Sequence, residues 1–333
     1  MTETASHLAG AAFGADPVPP RASRATGRGA GQGDAIFAWL CRAAGVLVLL
    51  LLSAIIVELF LGGLPAFRAF GVGFLTDTDW DPVQEVFGAG VPVYGTLLTA
   101  VLALMMAVPV AFGIAFFLTE LAPAWMKRPV GTAIELLAAV PSIIYGMWGF
   151  FVIVPIMATT IQPAVIDTLG EVPGIGMFFS GAPFGTGLFT AALILAIMIL
   201  PFVAATMRDV FEQVPAVFKE SAYGLGATTW EVMRGVVLPY TRISVVGGVM
   251  LGLGRALGET MAVTFVIGNA NRITPSLFGP GNTIASIVAL EFGEASSGSL
   301  KLSALLALGF ILFVISFAVL ALSRWLLRSR LKG

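Results

Sequence analysis

Residues 184–207 read FGTGLFTAALILAIMILPFVAATM, 24 residues without a charged side chain, closed by Arg208-Asp209. A bilayer core about 30 Å thick is crossed by roughly 20 apolar residues in a helix, so this stretch is long enough to span. The composition around it agrees: of 333 residues 58% are hydrophobic and 11% charged, with a mean hydropathy of +0.96. An ordinary soluble domain is about a quarter charged, and this chain lacks the polar surface to dissolve as one. Lys+Arg 18 against Asp+Glu 19 supplies no cationic face for phosphate backbones, which excludes nucleic-acid binding. Cys41 is the sole cysteine and His7 the sole histidine, so neither an internal disulfide nor a thiolate or imidazole metal cage is expected.

Five further stretches qualify as spans, over 36–61, 92–118, 130–157, 243–267 and 302–327. The fold class is therefore all-α, a polytopic membrane bundle of six transmembrane helices. Pro109, Pro141 and Pro201 fall inside spans, where neighbouring helices satisfy the freed carbonyls, and kinks are expected there. With both termini inside, 14 of the 18 Lys/Arg lie on the cytoplasmic side, against Arg68, Arg272 and Lys301 outside and Arg255 within a span. That asymmetry is what the positive-inside rule requires. Residues 1–34 form a Pro/Gly/Ala/Arg-rich segment without an apolar run, read as a disordered cytoplasmic tail ahead of a membrane domain over 35–330.

Three outer stretches stand out. Residues 62–91 hold the acidic run Thr76-Asp77-Thr78-Asp79-Trp80-Asp81, 158–183 is punctuated by Gly and Pro, and 268–301 contains a short apolar piece over 284–292. That piece is too short to span and reads as an interfacial or re-entrant helix, either packing or lining a vestibule. The inner loop over 208–242 is denser in signals. Pro215 suits a first helical position, Gly224 and Gly226 a stop, and Thr228-Thr229-Trp230-Glu231 a capping box that opens a second helix ended by Leu238-Pro239. Such a helix-turn-helix is either a plain surface feature or a docking element.

Glu220-Ser221-Ala222, Gly226, Val236 and Leu238-Pro239 together resemble the EAA loop of ABC-importer permeases, E-A-A-x3-G-x9-I-x-L-P, with Ser221 and Val236 as mild departures. Downstream, the segment from Leu251 through Arg255-Ala256-Leu257-Gly258-Glu259-Thr260 to Val263 is similar to the fifth-helix signature of phosphate-importer permeases of the PstC type. The resemblance covers about residues 36–327. It implies a type I, MetI-like permease domain in the bacterial inner membrane that forms half of a phosphate path. It also implies a second permease (PstA type), two copies of an ATPase (PstB type) and a periplasmic phosphate-binding protein (PstS type), all amid membrane lipid. Glu220, Ser221, Ala222, Gly226, Leu238 and Pro239 would then couple to the ATPase, with the apolar side of the loop helix (Val217, Phe218, Ala222, Tyr223) in its cleft. A permease for sulfate or molybdate fits the loop equally, though not the fifth span. An ion-coupled secondary transporter would leave the loop unexplained.

No cofactor is expected in this chain. The residues after Lys127, Lys219, Lys301 and Lys332 are Arg, Glu, Leu and Gly, so no G-x4-G-K-[ST] motif exists, and ATP and magnesium belong to the partner ATPase. The membrane chemistry rests on Arg255, near the middle of the fifth span, with Glu259 one turn on. Charges at that depth cost about 2.5–3.5 kcal/mol each and normally face protein or water. One reading is a buried ion pair that locks helix packing. The other, which the resemblance favours, has Arg255 offering its planar guanidinium to phosphate in the path while Glu259 moderates the charge. Thr260 joins them as a path residue and Thr264 could line the path too, although threonine in a membrane helix more often bonds its own i−4 carbonyl. Gly248-x3-Gly252 and Gly254-x3-Gly258 read as close-packing repeats, and Glu58 and Glu135 receive no role.

Overall fold

The computed structural model describes residues 30–329, and among the described residues the elements run in the following order. Fourteen α-helices follow one another: α1 (Ala30–Phe70), α2 (Gly73–Thr76), α3 (Gly90–Phe116), α4 (Ala124–Ala138), α5 (Ser142–Trp148), α6 (Val154–Ile156), α7 (Gln162–Leu169), α8 (Leu188–Glu212), α9 (Ala216–Gly224), α10 (Thr229–Val232), α11 (Leu238–Leu257), α12 (Met261–Thr264), α13 (Ile284–Glu291) and α14 (Leu300–Ser329). A small antiparallel hairpin, β1 (Trp80–Asp81) with β2 (Val86–Phe87), interrupts them between α2 and α3. Six continuous helical runs are long and apolar enough to cross a membrane: Gly33–Phe70, Gly90–Leu121, Ser142–Leu169, Leu188–Glu212, Thr229–Leu257 and Leu300–Trp325. The chain is thus an all-α, multi-pass membrane bundle. The expected tail lies outside the described residues as far as residue 29. Up to Ile55, α1 is apolar and largely exposed, as a helix bathed in lipid is.

Several boundaries differ from the sequence reading. The third span runs from Ser142 to Leu169 rather than over 130–157, because Pro141 stops α4, whose C-cap is Ala139. Pro109 and Pro201 sit inside unbroken α3 and α8. Four wide π turns occur, at Phe117–Leu121, Gly149–Ile153, Met157–Ile161 and Met233–Val237. Each ends two residues before a proline, namely Pro123, Pro155, Pro163 and Pro239. Proline lacks an N–H and its ring crowds the carbonyl one turn back; a wide turn moves that carbonyl's pairing and absorbs the mismatch. Leu238-Pro239 therefore does not end a loop helix as expected. The run from Thr229 to Leu257 is continuous through it.

α8 is the centre of the bundle, with 67% of its apolar stretch buried against 28% or less in the other five spans. Ala100, Ala103, Ala107, Ala111 and Ala115 form a buried stripe along α3 at helical spacing. They let it lie closely against Ala191, Leu195, Met198, Ile199 and Val203 of α8. α11 meets α8 through Gly248 and Gly252, where a Cβ would stand 2.7 Å from Thr206 Cγ2 and Val203 Cγ2 respectively. At Gly254 and Gly258 a Cβ meets no side chain, so only the first glycine repeat packs within the chain. Gly252→Leu is expected to cost about 1–3 kcal/mol by overpacking, read as a lower melting temperature of the detergent-purified chain. Gly254→Leu should leave that temperature unchanged.

At the end of the bundle remote from α9, the acidic run is turn chemistry. Asp77 Oδ1 accepts from the Thr78 N–H and Asp81 Oδ1 from the N–H groups of Val83 and Gln84. Trp80 Nε1 donates to both Glu291 oxygens at 3.0 and 3.1 Å, and Lys301 Nζ lies 3.2 Å from Glu291. The hairpin is thereby tied to α13, the short apolar helix expected over 284–292. A Thr283/Ser286 capping box opens that helix, and Thr96 Oγ1 accepts from its Ile284 N–H at 3.0 Å.

Candidate functional site

α11 stops at Leu257, inside the stretch over 243–267 that the sequence marks as the fifth span. Gly258 takes the C-cap, and the next short helix begins only at Met261. Arg255 stands in the last turn of α11, where unpaired carbonyls favour a cation. Its Cζ lies 5.9 Å from the ring centroid of Phe202 on α8. Glu259 turns the other way: its Oε1 accepts from the Ala262 N–H at 3.1 Å and so caps α12. The expected ion pair is therefore corrected. Among the described residues Arg255 and Glu259 form no salt bridge. Residues four apart share a face only while the helix is continuous, and it ends between them. The Thr260 hydroxyl lies 3.4 Å from the Gly258 carbonyl oxygen, two residues back rather than four, whereas Thr264 donates to the Thr260 carbonyl one turn back at 2.7 Å. Arg255, Glu259 and Thr260 are all half-buried.

One polar contact was not foreseen. The Tyr145 phenol on α5 donates to the Leu137 carbonyl at 2.9 Å across the Pro141 break. The chain has only four tyrosines, a signal that was available.

The loop after α8 forms a second assembly. α9 ends in a Schellman motif: the Ala227 N–H donates to the Ala222 carbonyl at 3.1 Å and the Gly226 N–H to that of Tyr223 at 2.9 Å. Gly226 has φ +88°, a left-handed conformation that favours glycine, and its Cβ position is open. The capping box is present as read, with Thr228 Oγ1 accepting from the Glu231 N–H at 3.4 Å and Glu231 Oε2 from the Thr228 N–H at 2.8 Å. Glu220, Ser221 and Gly226 are exposed beside Val217, Phe218, Tyr223 and Leu225. Ala222, expected on the outer apolar side, instead is half-buried and turns inward against the buried cluster that includes Val232, Met233 and Val237. Leu238 and Pro239 belong to the long helix of the fifth span, so the six residues of the loop motif do not form one patch.

Two cations fasten this end. Lys219 Nζ lies 2.6 Å from Glu120 Oε1, and Arg208 Nη2 lies 2.7 Å from Glu135 Oε1 and 2.8 Å from Asp209 Oδ1. Glu135, given no role by its sequence position, thus clamps α4 onto α8.

Comparison with known proteins fits this architecture. Residues 92–332 match the family described as binding-protein-dependent transport system inner membrane component. The chain belongs to that family. As an inner membrane component of this kind it is a translocation subunit, one part of a system that also includes a binding protein. The phosphate transport system permease protein PstC of Pasteurella multocida is 60% identical over 88% of this chain and 91% of its own length. The protein of that name from Mesorhizobium japonicum is 57% identical over 88% and 90%. A probable phosphate transport system permease protein PstC from Methanocaldococcus jannaschii is 35% identical over 82% and 86%. Among solved structures, a bacterial alginate ABC transporter in complex with a pentasaccharide-bound periplasmic protein superposes with TM-score 0.57 at 15% identity, over 87% of this chain and 94% of that one. An inward-facing MetNI methionine ABC transporter gives 0.51 at 17% identity, over 70% and 93%. The bundle is that of ABC importer permeases.

Proposed function

We propose that the chain is one permease subunit of an ATP-driven phosphate importer, paired with a second permease and served by two ATPase subunits and an exported phosphate-binding protein. The observation that carries this reading is the break at Gly258–Thr260 with Arg255 on one side and Glu259 on the other. Non-helical backbone at membrane depth persists only where it is enclosed by protein or lines a water-filled cavity, and a charge at that depth marks a pathway. The relatives at 57–60% identity are named for phosphate transport, and a planar guanidinium matches phosphate oxygens bidentately. Gly254 has open space where a side chain would stand, and a Cβ at Gly258 would meet only the Gly254 carbonyl oxygen at 3.8 Å, which supports a path completed by a second permease rather than enclosed by this chain. A broken helix by itself also suits ion-coupled transporters; family membership favours the binding-protein system.

α9 is the element that meets the ATPase, presenting Val217, Phe218, Tyr223 and Leu225 around Glu220 and Ser221 as amphipathic helices do in a groove. Nucleotide and magnesium are held by that partner. Both termini and α9 lie in the cytoplasm, on the side richer in Lys and Arg. The reading is tested by co-reconstituting the four components in liposomes. ATP-dependent uptake of labelled phosphate, with labelled sulfate or molybdate left outside, is the expected result. Uptake of sulfate as fast as phosphate would remove the phosphate assignment.

A further inference from the structure

α9 contains no fully buried residue; it packs on α10 and the wide turn Met233–Val237, and among the described residues its side-chain polar tie to the helices of the bundle is the Lys219 ammonium. Lys219 Nζ lies 2.6 Å from Glu120 Oε1 and 3.5 Å from the Phe211 carbonyl oxygen. The Glu120 side chain is 7% exposed and that of Lys219 18%. Three elements therefore meet at this atom: α9, the wide turn Phe117–Leu121 at the end of α3, and the last turns of α8. The next residue, Glu220, points outward, so adjacent side chains face opposite ways, one into the bundle and one toward the partner.

A buried carboxylate stripped of its cation is far costlier than a pair that stays together, and attraction is stronger where water is excluded. Displacing α9 consequently draws Glu120 along instead of parting the pair. α3 and α8 are the most extensively packed helices of the bundle, and α8 carries the Phe202 ring beneath Arg255. We propose that Lys219 and Glu120 are positioning residues that carry nucleotide-driven displacement of α9 into α3 and α8, and so toward Arg255. This rests on α9 being the ATPase contact proposed above.

The test uses the assembled importer and reads the ratio of phosphate imported to ATP hydrolysed, together with the amount of ATPase that co-purifies. Lys219→Met and Glu120→Gln are expected to retain the ATPase and continue hydrolysis, while the transport ratio falls about tenfold, within the range of ordinary inter-site coupling. The exchanged pair Glu120→Lys with Lys219→Glu should recover most of the ratio, which a purely packing role does not require. A wild-type ratio in either single variant, or an exchanged pair no better than the singles, overturns the proposal. The double variant Glu120→Gln with Lys219→Met leaves no unpaired buried charge and serves if a single variant misfolds. It too should be uncoupled, and a wild-type ratio in it is equally fatal. If Gly226→Val leaves ATPase binding and uptake intact, the underlying α9 contact has failed. If Gly226→Val sheds the ATPase while the neutral double variant transports normally, only the link has failed.

Discussion

Replacing Arg255 by Gln is expected to lower phosphate uptake about 10- to 150-fold, the equivalent of one hydrogen bond to a charged group at about 1.5–3 kcal/mol. The complex should still assemble. Within its own chain Arg255 meets the Phe202 ring at 5.9 Å, an interaction of about 0.5–2 kcal/mol that a folded bundle survives losing. Arg255→Lys should fall between wild type and Gln, since an ammonium keeps the charge but loses the planar fork. Initial rates of labelled phosphate uptake, set beside co-purification of the partner permease and ATPase, decide the matter. Wild-type uptake by the Gln variant would reduce Arg255 to a packing cation.

Gly226→Val is expected to strip about nine tenths of the co-purifying ATPase from the complex. The residue sits at φ +88°, where a β-branched side chain is a true outlier, and such strain costs roughly 1–3 kcal/mol. No neighbouring atom lies within 4 Å of a Cβ there, so the effect arises in the backbone and not from a clash inside this chain. Relief of the strain opens the bonds from Ala227 and Gly226 to Ala222 and Tyr223, and α9 loses its fixed end. Gly226→Asn is the control, because asparagine tolerates the left-handed region; it should retain the ATPase. Equal retention by both variants would place the contact elsewhere.

The six spans were legible because length and apolarity are properties of single segments. What escaped was what depends on another segment or on backbone register. Lys219 and Glu120 stand 99 residues apart, Arg208 and Glu135 73 apart, and nothing local to either announces its partner. Pro141 and Pro155 look alike as residues, yet one stops a helix and the other follows a wide turn that lets the helix continue. That difference displaced the third span toward Leu169. The i,i+4 rule placed Glu259 beneath Arg255 and failed at Gly258, whose lack of a side chain was read as packing rather than as a stop. The capping box and the Gly226 stop, by contrast, came through intact, since each is closed within a few residues.

A wide turn holds one residue more than the ladder around it, so every side chain beyond it is rotated by about 100° relative to an uninterrupted helix. Met233–Val237 lies next to the α9 loop, at the opposite end of the helical run Thr229–Leu257 from Arg255. The azimuth of that arginine is consequently fixed about five helical turns away. Removing a single residue from the turn would swing the guanidinium more than a quarter of a circle off the Phe202 ring, with every residue around it left in place.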